Sequence, residues 1–343
     1  MNANTFGHLF QVSTFGESHG RALGALVQGC PAGIPFDQAL LERNLQRRRP
    51  GQSAVTTARS EEDRPEIFSG VFEGRTLGTP IAMAVFNKDA DSTSYTKENL
   101  KTRPGHATDL WQEKFGHSDP RGSGRASGRE TLSRVLGGSV AEMFLNTVCP
   151  ELKVFGFVSQ VGPWQWEPER ILEIAAALNE GRLNAYDFQT RIPDAEQDQE
   201  ISRRLIKAKE EGDSFGGTIE MFITNVPPYL GQPVFRKMKS ELTAAMMSVG
   251  ATQSVEFGFA HQERTKPGSS FHQNSEVYAG LRGGITTGER LHLRVGFKPP
   301  ATLATMARQG RHDPCILPRA LPVLEAMVHL VLADQVLWRR LDR

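Results

Sequence analysis

Cysteine is scarce: three in 343 residues, Cys30, Cys149 and Cys315. Their odd number and wide spacing exclude a disulfide framework or a cysteine-based zinc site, and a reducing cytoplasm is expected. Net charge is nearly absent too. Forty Lys and Arg against 39 Asp and Glu leave +1, so no global basic field recruits nucleic acid or a membrane surface. No run is long and apolar enough to be expected to span a bilayer. The closest, LPVLEAMVHLVLADQVLW, is interrupted by Glu325, His329 and Asp334 and reads as a buried helix. The opening MNANTFGHLFQ has no basic stretch ahead of an apolar one, so no signal peptide is expected. P-loop, G-x-G-x-x-G, zinc and EF-hand spacings are missing, which argues against a Rossmann dinucleotide domain. No period marks a solenoid or propeller. What remains, 38% hydrophobic and 23% charged, is an ordinary globular chain long enough for one large domain or two.

In chain order, HLFQVSTF predicts a strand, GESHG a turn, and ALGALVQGCPAG a second apolar segment. FDQALLERNLQRRR predicts a helix capped by Asp37 and closed by Pro50-Gly51. Gln52 to Arg64 is polar and aperiodic, and reads as a surface loop. EIFSGVF and GTPIAMAVFN are strand-like. ETLSRVLGGSVAEMFLNTV has its apolar residues at helical spacing. Beyond it alternate strand-like LKVFGFVSQVG, helical PERILEIAAALNEG with Gly181 as its stop, the charged helix AEQDQEISRRLIKAKEEGDSFGG ending in glycines, and strand-like GTIEMFITNVP. PVFRKMKSELTAAMMSVG predicts a helix with proline near its start. SVEFGFAH follows as a strand, Lys266 to Arg282 as an irregular loop, and ERLHLRVGFKPP as an edge-exposed strand. Strands occur in pairs as often as in β-α-β alternation, which favours α+β with antiparallel sheets.

The chemistry concentrates in RPGHATDLWQEKFGHSDPRGSGRASGRET, residues 103–131. A Gly/Ser/Arg run opening a helix suits an anion: backbone N–H groups and the helix dipole face it, and guanidinium forks match phosphate or carboxylate oxygens. A solvated glycine-rich turn is the plainer alternative. Arg103 lies three residues before His106, and a nearby guanidinium keeps the imidazole close to its neutral switching range. Gly16-Glu17-Ser18-His19-Gly20 matches the nucleophile elbow of serine hydrolases, but the segment after it is glycine-broken and strand-like rather than helical. A tight turn presenting Ser18 and His19 fits better. A third cluster, Gly310-Arg311-His312-Asp313-Pro314, precedes the last helix, where it could equally be an Asp/Pro turn with a surface pair. Arg47-Arg48-Arg49 at a helix end complements the dipole there.

Taken together, GESHG, RRRPG, RPGHA, DPRGSGRASGRET, GGI, FKP and GRHDPC with PRALPVLEAM form an ordered set that resembles chorismate synthases. The likeness is strong over 16–51, 103–142 and 283–334. It implies one domain over residues 1–343, a β-α-β sandwich with long helices between two antiparallel sheets, and a homotetramer. It implies elimination of phosphate from 5-enolpyruvylshikimate 3-phosphate to give chorismate, with reduced FMN and no net redox change. The partners implied are the small phosphorylated substrate and an external flavin reductase or reductant, not nucleic acid or membrane. A substrate with a phosphate and two carboxylates suits several arginines, and a non-acidic C–H suits an electron-donating cofactor.

Carried over by motif, His19 protonates the leaving phosphate and His106 holds a proton near the flavin. Asp313 assists removal of a flavin proton, and Ser18 and Ser127 hydrogen-bond beside them. Arg48, Arg103, Arg129 and Arg311 clamp the substrate. Arg125, Ala126, Ser127, Gly250, Ala251, Gly283, Lys298, Pro299, Pro300, Ala301, Thr302 and Arg311 are the flavin contacts implied. The chain departs from the family at Ala54, where arginine is usual, and at Pro300-Ala301, where hydroxyl residues are usual. It also departs at Thr252–Ser254, which lack the usual lysine, and at Glu276–Gly280. Retained activity with altered flavin affinity is expected; a paralogue that binds flavin or an anion without turnover is the alternative.

Overall fold

The computed structural model describes residues 3–51, 55, 62–87, 105–119, 121–301 and 313–342. Strands β1 (Thr5–Phe6), β2 (Gln11–Phe15) and β3 (Ala22–Gln28) precede helix α1 (Gln38–Arg48). Asp37 caps α1 as expected, accepting from the Leu40 N–H at 3.0 Å. Strands β4 (Pro65–Ile67), β5 (Val71–Phe72), β6 (Arg75–Thr76) and β7 (Ile81–Phe86) follow, then α2 (Thr108–Phe115) and α3 (Thr131–Val148). The second half runs β8 (Lys153–Val161), β9 (Trp164–Gln165), α4 (Pro168–Asn179), α5 (Ala195–Glu211), β10 (Gly217–Thr224) and α6 (Met238–Met247). After these come β11 (Thr252–Phe257), the one-turn helices α7 (Ala260–Glu263) and α8 (Gly268–Phe271), β12 (Leu281–Arg282), β13 (Ile285–Thr286), β14 (Leu291–Phe297) and α9 (Leu317–Arg339).

Two five-stranded antiparallel sheets result, ordered β1-β2-β3-β7-β4 and β11-β14-β10-β8-β9, and β5-β6 and β12-β13 form two-stranded pairs. Helix α3 packs on β2 and β3 of the first sheet, α9 on β8 and β10 of the second, and the two helices pack on each other. This is the layered α+β arrangement expected. Each helix is apolar on nearly all sides because each has a sheet on one flank and a helix on the other. Helix α9 is long and apolar enough to cross a membrane, yet 83% of its apolar window is buried in this core. Asp334 near its C-terminal end accepts hydrogen bonds from the backbone N–H groups of His8, Leu9 and Phe10 at 3.0, 2.6 and 2.9 Å. That carboxylate ties the last helix to the entry of β2.

Three expectations need correcting. The predicted edge strand, β14, is an interior strand between β11 and β10. Its polar residues are satisfied inside the sheet: His292 and Arg294 meet Glu220 of β10 at 2.7 and 3.0 Å, and Ser159 donates to the same carboxylate at 2.6 Å. Helix α6 starts at Met238, five residues after Pro233, because the intervening loop turns over Gly284. The segment read as a surface loop, 52–64, is described only in part, but Val55 and Asp63 are buried.

Candidate active site

One cavity of about 750 Å³ opens where the N-terminal sheet, the 105–131 segment and the start of α9 meet. Its size falls within that of small-molecule and cofactor sites. Val249, Ile316, Val323, Met327 and Leu330 give it an apolar lining, to which Trp111 also contributes. The same lining includes Arg48, Arg125, Arg129, Lys298 and Arg319 with His106, Ser127 and Asp313. A flat ring beside the apolar residues and anionic groups toward the guanidiniums is what such a lining accepts.

The run Gly122–Arg129 does not simply lead into a helix with its N–H groups open. Gly122, Ser123 and Gly124 have φ of 57°, 67° and 51°, three successive left-handed residues that fold the loop back on the GESHG turn. The Ser18 N–H donates to the Gly124 carbonyl at 3.3 Å. A Cβ at Gly122 would lie 2.2 Å from His19 Cδ2 and 2.8 Å from Ser18 Oγ. Ser18 and His19, both buried, therefore sit one layer behind Gly122, which itself lines the cavity. Ser127 Oγ accepts from the Arg129 N–H at 3.3 Å and caps the short turn that precedes α3.

The arginines of this run separate. Arg121 is exposed and pairs with Asp119 through two hydrogen bonds of 2.9 and 2.8 Å. Arg125 reaches back to β2, donating to Thr14 Oγ1 at 2.6 Å. Arg129 lies inside, 3% exposed. The basic end of α1 divides likewise, since successive side chains on a helix point about 100° apart. Arg47 lies over the Tyr186 ring, 3.9 Å from its centroid, while Arg48 enters the cavity wall and donates to Thr131 Oγ1 at 3.0 Å and to the Gly128 carbonyl. Burial pushes the Arg48 guanidinium down to about 9; Arg319 adds to that shift and Asp63 opposes it.

The opposite rim is built by the residues after β14. Lys298 donates through Nζ to the Gly105 carbonyl at 2.7 Å, holding the turn that carries His106, and its N–H pairs with the Ala251 carbonyl at 3.0 Å. Ala126, Gly250, Ala251, Pro299, Pro300 and Ala301 complete this rim. Gly283 does not reach the cavity. It occupies the two-residue turn of the β12–β13 hairpin, where Gly283 and Gly284 both need positive φ, 61° and 88°, and that turn alone accounts for the glycines. Arg103, Arg311, Thr302 and Ala54 lie outside the described residues.

Two residues of this region were given no role by the sequence. Arg319, in the first turn of α9, donates to the Asp313 carboxylate and lines the cavity beside it. Asp63 contacts Arg48 and Arg129. The first lies inside PRALPVLEAM and could have been suspected from that; the second lies in a stretch without periodicity.

The family model for chorismate synthase matches residues 10–337. The chain belongs to the chorismate synthase family. It is 49% identical to the chorismate synthase of Bdellovibrio bacteriovorus across the full length of both chains. It is 43% identical to that of Methanopyrus kandleri, over 97% of this chain and 92% of the relative. A solved structure titled as a crystal structure of chorismate synthase superposes with a TM-score of 0.76 at 31% identity, covering 97% of this chain and 93% of that one.

Proposed function

We propose that this chain eliminates phosphate from 5-enolpyruvylshikimate 3-phosphate to form chorismate, with reduced FMN as cofactor and no net redox change. One observation carries the reading: His106, Ser127, Asp313, Arg48, Arg125, Arg129 and Lys298, from distant parts of the sequence, border a single cavity, with His19 directly behind Gly122. The lining suits the flavin, since the apolar residues Val249, Val323, Met327 and Leu330 can take a planar ring while Lys298 and Arg125 offer cations to a phosphate. Reduced flavin, when bound, supplies electron density that makes loss of phosphate feasible from a carbon framework whose C–H is not acidic.

The protein holds, orients and moves protons. Arg48 and Arg129 bind the anionic groups of the substrate, their forks preset by Thr131, the Gly128 carbonyl and Asn87. His19 protonates the departing phosphate at an oxygen, reaching it past the bare Gly122 backbone. His106 holds a proton at its ring, and Asp313, oriented by Arg319, takes one up at its carboxylate. Ser127 orders the turn that presents Arg129. The enzyme is a carbon–oxygen lyase in this reading, works in the cytoplasm as a homotetramer, and draws reduced flavin from a separate reductase or reductant.

Anaerobic assay of the purified protein with substrate and dithionite-reduced FMN tests the reading. Release of phosphate together with chorismate is expected. Flavin-independent ligand binding with no phosphate release would replace it with the paralogue reading.

A further inference from the structure

A carboxylate that the proposed chemistry does not use lies against the arginines of the cavity. The Asp63 side chain is 1% exposed. One oxygen is 2.9 Å from a terminal nitrogen of Arg129 and the other is 3.8 Å from one of Arg48, whose side chain is also 1% exposed. From Arg129 the chain of contacts continues through Nε to Asn87 Oδ1 at 2.9 Å. The Asn87 amide then donates to the carbonyls of Ser18 and Gly20 at 3.2 and 2.8 Å, one on each side of His19. Asp63 itself has φ of 48°, a left-handed conformation that a residue with a side chain keeps where its surroundings enforce it.

Such a pair is not a surface ion pair of small consequence, because all three charges are out of water. Two guanidiniums buried side by side repel, and neither is tolerated there without a counter-charge. Both also line the cavity, so whatever balances them sets how they meet a ligand. We propose that Asp63 is a positioning residue of the anion site: it holds Arg48 and Arg129 in register before substrate arrives and, through Asn87, couples them to the His19 turn. One negative charge against two positive ones leaves a net cation facing the cavity. The proposal rests on the reading of this cavity as a site for a phosphorylated substrate.

Substituting Asp63→Asn keeps the shape and removes the charge. With the internal anion gone, an external one takes its place, so inorganic phosphate is expected to raise the melting temperature of the variant more than that of the wild type. The substrate KM is expected to rise about tenfold, and Asp63→Glu to recover most of it. Equal phosphate responses and equal KM in wild type and Asp63→Asn would overturn the proposal. Folding of Asp63→Asn only in phosphate supports it. Should that variant fold under neither condition, Asn87→Ser carries the test: a KM raised about tenfold sustains the network and unchanged kinetics refute it. The phosphate response is read without turnover, so an inactive wild type would count against the lyase reading while leaving this one to stand or fall by itself.

Discussion

A methyl group on residue 122 would lie 2.2 Å from one carbon and 2.6 Å from Nε2 of the His19 ring, at a backbone φ of 57° that disfavours any side chain. Gly122→Ala is therefore expected to displace His19 and lower turnover about a hundredfold, the typical contribution of a general acid–base group. Its melting temperature should fall as well, because Gly122 is buried against the His19 turn; steady-state kinetics at a temperature where a thermal melt shows the variant folded check this. A full-rate Gly122→Ala enzyme would remove His19 from the chemistry. A second residue-scale expectation concerns Glu325 on α9, which accepts from the Tyr186 hydroxyl at 2.6 Å. Burial lifts its carboxyl from the usual 4.5 to about 7, with Glu142 adding to the rise and Arg47, Tyr186 and Arg191 opposing it. The folded state then binds the proton more tightly than the unfolded chain. Its contribution to stability is full below about pH 4.5 and is lost as pH rises to about 7. His329 nearby, pushed down by burial, acts in the opposite sense. Chemical denaturation of wild type and Glu325→Gln across this range should show the wild type losing stability relative to the variant as pH rises. Asp63 looked like part of a solvated loop because burial of a single carboxylate leaves no periodic trace.

Helices α3 and α9 approach closely because α3 carries two adjacent glycines. A Cβ on Gly137 would meet the Val12 methyls at 2.7 Å, and one on Gly138 the Ala326 Cβ at 2.4 Å. The glycines cost helix propensity but let one helix touch a sheet and another helix at once. Gly138→Ala is expected to destabilise the fold by about 1–3 kcal/mol through overpacking, whereas an exposed helical Gly→Ala change normally stabilises. Urea denaturation decides between these signs. The elements themselves were largely legible: apolar spacing located α3 and α9, and Asp37 and Gly181 marked helix ends where the structure has them, while the charged helix stops at Glu211, with Gly212 as its left-handed cap, short of the last glycines of its segment. The place of β14 in its sheet was not. Alternation showed a polar face containing His292 and Arg294, and solvent is the usual partner of such a face. Only the neighbouring strand revealed that Glu220 was the partner instead, its carboxylate also accepting from Ser159.

Across the whole molecule, the site gathers β2, the end of α1, the 105–131 segment, the loop before β11, the residues after β14 and the start of α9. Local pattern located most of these elements, and the ordered motifs that resemble those of chorismate synthases implied that residues from several of them share one site. Neither could say that Gly283 belongs to a hairpin turn away from the cavity, or that Arg121 pairs at the surface while Arg129, eight residues on, is buried. The amino-acid order determined secondary structure, capping, the absence of disulfides and the kinds of chemical group available, since these depend on neighbours within a few residues. Tertiary structure decided which guanidiniums share a counter-ion, which strand lies inside its sheet, and which histidine stands behind a glycine. Those outcomes arise from contacts between residues tens to hundreds of positions apart, where burial and charge act through space and leave no local signature.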